Sequence, residues 1–447
     1  MASTLTLLSK ILNVKNTVVT GYDYYEDTDG VSHLSVMVRP NKCHENDCPI
    51  CHRHCPRYDA QGSQSRHWRE LDWGGILVEV IGETHRIQCP EHGVLVADVP
   101  WAYPGSSFTK KFDLTVAWLA VSLPKSTVSE YMRIDWETVG RCIHRTLHEI
   151  EPDRASRLNG LVHIGIDETS YKKGHKYMTI VVNLDTNTVV WIGRGYGKAV
   201  LEKFFQQLSI DQLSTIEVVT GDGARWITDC VNQYVPNSVR CVDNFHVVEW
   251  ANEALDAVRR EAWQEAHKEA TQLAQDHPQK RGRPKTEDKA AAAIADAKAK
   301  ASSIKNSRYV LGKAPENLTE NQQVKLEMIA VCNPRLYRAY LLKEQLRLIL
   351  KLHDPVEAEA QLKQWLWRAS HSQIPAFKEL YQKVKRHKEH ILNSIKLGLS
   401  NARVEAINTK IKLLLRKARG FRNIENMFDL IYLVCSDLRI PLPNRKL

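Results

Sequence analysis

The sequence predicts an α/β protein in which a strand-rich core, with acidic residues at its strand ends, is interrupted by a long all-helical insertion. Three observations predict it. Apolar runs separated by turn signals follow one another from residue 161. The stretch from 251 to 395 has helical periodicity without useful strand-like alternation, and the first hundred or so residues combine short β-prone runs with clustered cysteines. At 447 residues the chain is too long for one small core, which predicts roughly two to four structural units.

Composition narrows the function classes. With 43% hydrophobic and 26% charged residues the chain is globular in type, and its formal charge is +10. Lys and Arg concentrate in residues 278–313 and 403–422, which favours a polyanionic partner over an acidic small molecule. No run reaches the roughly 18 apolar residues of a membrane span, and the start lacks a secretory signal pattern, so a cytoplasmic protein without a membrane partner is expected. Cysteines stay reduced in that compartment. Five of the ten, Cys43, Cys48, Cys51, Cys55 and Cys89, fall close together, which points to a metal; Cys142, Cys230, Cys241, Cys332 and Cys435 stand singly and read as small buried hydrophobes.

The elements follow in order. Cys48-Pro-Ile-Cys51 is a knuckle whose backbone aims two thiolates at one tetrahedral ion, and Cys89-Pro-Glu-His92 offers a second pair at the same spacing. Between them "HWRELDWGGILVEVIGETHRIQC" has β-prone runs and a Gly-Gly turn, so residues 1–105 read as a β-rich region with a zinc ribbon. Cys43, His52, His54 and Cys55 are rival ligands. Next, "FTKKFDLTVAWLAVSLPKSTVSEYMRIDWETVGRCIHRTLHEI" reads as three helices broken near Pro124 and Ile134, with Thr127 to Glu130 as a capping box for the second and Asp135 capping the third. Short helices on tight turns suit a helix-turn-helix, placed at residues 106–158; a plain helical spacer is the alternative.

From residue 159 to 250 strands dominate. "LVHIGID" ends at Asp167, "YMTIVVNLD" and "VVWIG" follow, the amphipathic "KAVLEKFFQQL" leads on, and "IEVVTGD" ends at Asp222. The order β-β-β-α-β is that of a ribonuclease-H-like sheet, in which the first and fourth strands lie side by side. Asp167 and Asp222 would then face each other at their carboxyl ends. Two close carboxylates repel unless a cation compensates them, and Mg²⁺, or Mn²⁺, meets that need as a pair of ions about 4 Å apart that serve phosphoryl transfer. A third acid is expected on a late helix within residues 396–447: Glu405, which shares a helical face with Ala402, Asn408 and Lys412. Lys410, Lys412, Arg416, Lys417, Arg419 and Arg422 on the same segment could hold DNA phosphates. Asp243, at the end of a fifth strand, is the rival second acid, expected farther from Asp167. His246 would position a phosphate or orient a carboxylate, unless it is structural.

The insertion, 251–395, contains Arg281-Gly-Arg283-Pro284, similar to the minor-groove core of an AT-hook, although a flexible cationic loop is the commoner source of so short a match. Trp263, Trp365 and Trp367 could stack on an unpaired base or fill the helical core.

These residues together resemble the bacterial insertion-sequence transposases of the ISL-three family, in the DDE superfamily. The likeness runs over almost the whole chain, through "CPICHRHCPRYD", "HRIQCPEHGVLVADVPWA", "GIDETSYKKGHKYMTIVVNLDT", "DNFHVVEWANEALDAVRRE" and "NARVEAINTKIKLLLRKARGFRN". It implies a zinc-finger and helix-turn-helix region that recognises terminal inverted repeats, and a ribonuclease-H-like nuclease with a helical insertion. It places the first Asp on Asp167 and the Glu on Glu405. By comparison with Mutator-like relatives it places the second Asp on Asp222, with the later Cys and His on Cys241 and His246. The family commonly has Ser-Asn-Gly where this chain has Ser400-Asn401-Ala402, and a Pro or Arg where it has Asn244. The expected activity is a metal-dependent DNA transposase, cleaving element ends and joining them to target DNA, nucleoid-associated and at least a homodimer because two ends must be held together. A transposase-derived regulator without catalysis is the alternative.

Overall fold

The computed structural model describes residues 3–59, 63–172, 174–277, 289–398, 402–418 and 420–442. Contacts divide the chain into two units, residues 1–157 with 409–447, and residues 158–408. Arg281, Arg283 and Arg419 lie outside the described residues.

In the first unit α1 (Thr4–Leu12) precedes β1 (Thr17–Glu26), β2 (Ser32–Pro40), β3 (Gln64–Arg69) and β4 (Leu77–Thr84), which form a sheet in the order β1-β2-β4-β3. Period-2 alternation turns Leu34, Val36 and Val38 of β2 and Val78 and Val80 of β4 inward, around the edge-to-face pair Trp68 and Trp101. Gly74 takes a left-handed φ of 69° in the turn between β3 and β4, closed by paired bonds of Trp73 and Ile76. The cysteine module uses less of this sequence than a full ribbon would. Only the hairpin of β5 (Arg86–Cys89) and β6 (Gly93–Val96) carries the second knuckle, because both hydrogen-bonding edges of β4 are taken, by β2 and β3.

Three helices follow: α2 (Lys110–Ser122), α3 (Lys125–Met132) and α4 (Trp136–Ile150). The breaks fall at Pro124 and Ile134, as expected. The second helix, however, opens two residues before Thr127, at the Pro124 N-cap and without a side-chain cap, so the Thr127 to Glu130 capping box does not start it. The proline ring fixes φ near the helical value, which does that work. Asp135 stands at the N-cap of α4 without a side-chain bond to it. Arg133 takes a left-handed φ of 52° to close the α3 to α4 turn.

The second unit opens with β7 (His163–Lys172), β8 (Lys176–Asn183) and β9 (Thr188–Arg194). Helices α5 (Lys198–Phe205) and α6 (Ile210–Ser214), strand β10 (Val218–Gly221), helix α7 (Arg225–Tyr234) and strand β11 (Val239–Val242) complete a sheet in the order β11-β10-β7-β8-β9. β10 runs parallel to both β7 and β11, while β8 runs antiparallel to β7 and β9. The first and fourth strands are therefore neighbours. One sheet face packs Ile164, Ile166 and Val219 against Leu201, Phe204, Phe205 and Ile227.

A long helix, α8 (Asn244–Asp276), then leads into α9 (Lys289–Lys305), α10 (Arg308–Gly312), α11 (Glu320–Cys332), α12 (Pro334–Ile349), α13 (Pro355–Ser370), α14 (Pro375–Arg386) and α15 (Lys388–Leu397). The insertion is all helical among the described residues. Alanines at 251, 254, 262 and 266 of α8 are buried, a small-residue stripe that lets neighbouring helices approach closely. Trp365 is fully buried, donating its indole N–H to the Leu342 carbonyl at 2.8 Å, so it is a core residue; Trp263 packs at the edge of the same core, while Trp367 is exposed and stacks on His371. Helix α16 (Ala402–Lys417) contributes its first turns to this unit. Its later turns belong to the first unit, with α17 (Ile424–Cys435), whose Asp429 binds His144 of α4 at 2.7 Å. No helix among the described residues is long and apolar enough to cross a membrane.

Candidate active site and metal-ligand cluster

The two knuckles come together. Donor atoms of Cys48, Cys51, Cys89 and His92 all lie within 4.8 Å of one another. Cys48 Sγ is 3.8 Å from His92 Nδ1, Cys51 Sγ is 3.7 Å from Cys89 Sγ, and Cys89 Sγ is 3.5 Å from His92 Nδ1. Thiolates sharing one tetrahedral zinc through bonds of about 2.3 Å stand roughly 3.8 Å apart, so the spacing fits that ion. Each knuckle is a tight turn: His52 takes a left-handed φ of 56° while its N–H binds the Cys48 carbonyl at 3.0 Å. Burial opposes ionisation of Cys89, but the amides of Glu91 and His92 and the His92 and Cys51 side chains outweigh it and bring the thiol down to about 6. The rivals are not among the four, although Cys55 packs beside Cys48 and Cys89. Cys55 is buried with its thiol donating to the Arg53 carbonyl at 3.3 Å, Cys43 is exposed, and His54 binds Asp47.

The carboxylates gather at one end of the five-stranded sheet. Thr220 of β10 pairs with Gly165 of β7 and Gly221 with Val242 of β11; carried past the last paired residues, that register sets Asp222 beside both Asp167 and Asp243. Asp167 does not end its strand: β7 continues to Lys172 because antiparallel β8 goes on pairing with it, and only the β10 side stops. Asp167 thus sits where one neighbour has ended and the other continues. Its side chain shares a face with Gly165, where a Cβ would come within 2.6 Å of Val404, so the glycine lets α16 lie directly on the strand. That approach delivers Asn408, whose amide donates to Asp167 Oδ2 and whose Oδ1 accepts from the Thr169 hydroxyl at 2.9 Å. The Glu168 amide donates to Asp167 Oδ1 at 2.7 Å.

Burial raises the Asp167 carboxyl above the usual carboxylate range, and the nearby Asp222 charge adds to it, against the Glu168 amide, His246 and Asn408. Glu405, exposed on the first turns of α16, is raised by desolvation and then by Asp243 and Asp167, with His246 opposing. Glu168 points to the opposite sheet face, accepts from the Gly197 amide at 3.3 Å, and is pushed up to about 7 by burial, with Asp222 and Asp167 contributing. Asp222 Oδ1 accepts from the Ala224 amide at 2.9 Å in an Asx turn. Asp243 is buried and caps α8, accepting from the Phe245 amide at 3.0 Å; His246 lies 3.8 Å from it and 3.1 Å from Glu249. Neighbouring acids thus add to the rise at Asp167, Glu168 and Glu405, as carboxylates around a cation site do without the cation. Among the described residues only the Cys48 to His92 group brings three or more such donor atoms within 4.8 Å.

Of the predicted phosphate-binding cations, Lys410, Lys412, Arg416 and Arg422 are all exposed. Sequence reasoning missed Glu168, Thr169 and Arg240 at the site and saw Asn408 only as a neighbour of Glu405. A run of polar residues directly after Asp167 was the available signal.

Carboxylates gathered at one end of a sheet, in a chain that also carries a helix-turn-helix sequence, define the DNA-processing class that the comparisons specify. A family model described as Transposase, of the ISL3 DDE type, matches residues 164–431, and one described as the helix-turn-helix domain of transposase family ISL3 matches residues 97–147. The transposase for insertion sequence element IS1557 of Mycobacterium tuberculosis is 41% identical over 433 residues, covering 96% of this chain and 95% of the relative. The transposase for insertion sequence element IS1001 of Bordetella parapertussis is 28% identical over 385 residues, covering 85% and 86%. The chain belongs to the ISL3 family of transposases.

Proposed function

We propose that this protein binds the terminal inverted repeats of its element, hydrolyses one strand at each end, and uses the freed 3′-hydroxyl to attack target DNA. Asp167, Asp222 and Glu405 would hold two Mg²⁺ or Mn²⁺ ions, and the observation that carries this reading is the row of acids on adjacent parallel strands with the Glu405 helix laid across β7. The strand order, in which the first and fourth strands are neighbours, supports a ribonuclease-H-like core formed by residues 159–250 and 396–447 around the 251–395 insertion. When bound, the ions would lower the pKa of the attacking water and offset charge on the leaving oxygen.

The chain's own residues do the rest. Asn408 and the Glu168 amide fix the rotamer of Asp167. His246, between Asp243 and Glu249, is placed to hold a proton or a phosphate oxygen beside Glu405. Zinc held by Cys48, Cys51, Cys89 and His92 would fix the amino-terminal module. With the helix-turn-helix at 106–158 it would read the repeats, and Lys410, Lys412, Arg416 and Arg422 would bind phosphates. Two ends must meet, so the working form is a dimer or larger on DNA.

Alanine at Asp167, Asp222 or Glu405 should lower Mg²⁺-dependent cleavage of DNA carrying the element ends by about 10³-fold or more, while end binding in a gel-shift assay persists. Retained cleavage by Asp222→Ala, with loss by Asp243→Ala, would move the second ligand to Asp243. Retained cleavage by all three variants would end the reading.

A further inference from the structure

Arg240 occupies the second position of β11, in the run Val239-Arg240-Cys241-Val242, and its burial is unexpected. Val239 is 38% exposed, whereas Arg240 is 4% exposed. Its guanidinium makes no ion pair among the described residues within hydrogen-bonding range; its bonds go to main-chain carbonyls. Nη1 donates to Cys241 and, at 3.4 Å, to Val219, and Nη2 donates to Asp222. Those three carbonyls belong to the ends of β10 and β11, which bear Asp222 and Asp243. Burying a guanidinium is costly unless its donors are hydrogen-bonded, and here both Nη atoms are while Nε has no partner among the described residues. A planar fork with several donors can fasten two strand ends at once; an ammonium cannot.

Helix α15 holds the same strand from its other flank. Asn393 Nδ2 donates to the Arg240 carbonyl at 3.2 Å, and Ser394 Oγ donates to the Val242 carbonyl at 2.6 Å. The main chain just before Asp243 is therefore bonded from the helical insertion, and the main chain at Asp222 from Arg240. The Asp222 side chain makes only its local bond to Ala224 among those described, so its direction follows its main chain.

We propose that Arg240 is a positioning residue for metal binding. By clamping the carbonyl of Asp222 to those of Val219 and Cys241, it sets how far the Asp222 carboxylate stands from Asp167. It touches neither substrate nor ion. The inference rests on the reading of Asp167, Asp222 and Glu405 as the metal-holding set.

The test compares wild type with Arg240→Lys and Arg240→Gln, measuring cleavage of end-bearing DNA against Mg²⁺ concentration, end binding and thermal melting. Arg240→Gln should raise the half-saturating Mg²⁺ at least tenfold and depress the rate at saturation much less. Arg240→Lys, keeping the charge and losing the fork, should fall between, and end binding should be unchanged in both. A merely structural role would not shift the metal requirement at constant end binding. Unchanged Mg²⁺ dependence in folded variants overturns the proposal. So does loss of melting transition and end binding in both, since the guanidinium would then hold the whole unit rather than one ligand. Failure of the underlying reading looks different: wild type itself would then show no Mg²⁺-dependent cleavage.

Discussion

Asn408 shows how a single amide can tie a helix to the strand that carries Asp167. It is 8% exposed, donates to Asp167 and accepts from Thr169, so its loss would strip a carboxylate of one partner and leave a buried hydroxyl without another. Removing one partner of a buried bond costs about 1 to 3 kcal/mol. Asn408→Ala should therefore lower unfolding free energy in denaturant by about that amount. Its effect on cleavage should be larger than its effect on end binding, because the amide holds Asp167 and not the DNA. Equal losses in both assays would show that it only supports the fold. Arg240 works at the same scale by a different route, through main chain rather than side chain, which is why its variants should shift the metal requirement.

At the scale of elements, α16 divides its work between its two halves. Its first turns present Glu405 and Asn408 to the sheet, and its later turns expose Lys410, Lys412 and Arg416. Phosphate contacts carry no sequence information but release counterions. Replacing those three cations by alanine should flatten the plot of log binding constant against log salt by about 2 to 3 units of slope, and weaken specific and random DNA alike. A slope equal to wild type would remove α16 from the interface. The β5 to β6 hairpin invites a separate test: Cys89→Ser should abolish bound zinc by elemental analysis and lower the first melting transition, since structural zinc contributes directly to folding. Much of this was legible in the sequence. The Cys48 and Cys89 knuckles are local spacings, and the apolar run that stops at Asp222 marks a strand end without any long-range knowledge. What was not legible depends on partners far along the chain. β7 continues past Asp167 only because β8 pairs with it, Asn408 meets Asp167 across a gap of hundreds of residues, and Arg240 is buried in a strand whose last three residues are all buried rather than alternating. At Thr127 a local capping signal lost to the neighbouring proline.

At the scale of the whole chain, the helical insertion does more than separate acids in sequence. Through α14 and α15 it lays His387 and His390 close to Arg240, and their imidazoles have buried Nδ1 atoms without partners. Desolvation, then the neighbouring His390, Arg240, Arg386 and Lys383, bring His387 down to about 4. The sign follows from proton counting. His387 in the unfolded chain protonates near the ordinary value of about 6.5, so between about 6.5 and 4 the unfolded state binds more protons and the folded state loses stability as pH falls. Its contribution is complete above that window. Asp167, Glu168 and Glu405 act oppositely, because their raised carboxyls weaken the metal-free protein as pH rises, and added Mg²⁺ should relieve that above neutrality. A comparison with His387→Gln in Mg²⁺-free buffer separates the two, since the carboxylates are common to both proteins and cancel in the difference. Denaturant unfolding at a series of pH values should show wild type losing on the order of 2 kcal/mol more than the variant between about pH 6.5 and 4.5, at about 1.4 kcal/mol for each pKa unit. Parallel curves over that range would mean that His387 keeps its proton in the folded protein, and that the cationic surroundings of Arg240 are more solvated than their burial indicates.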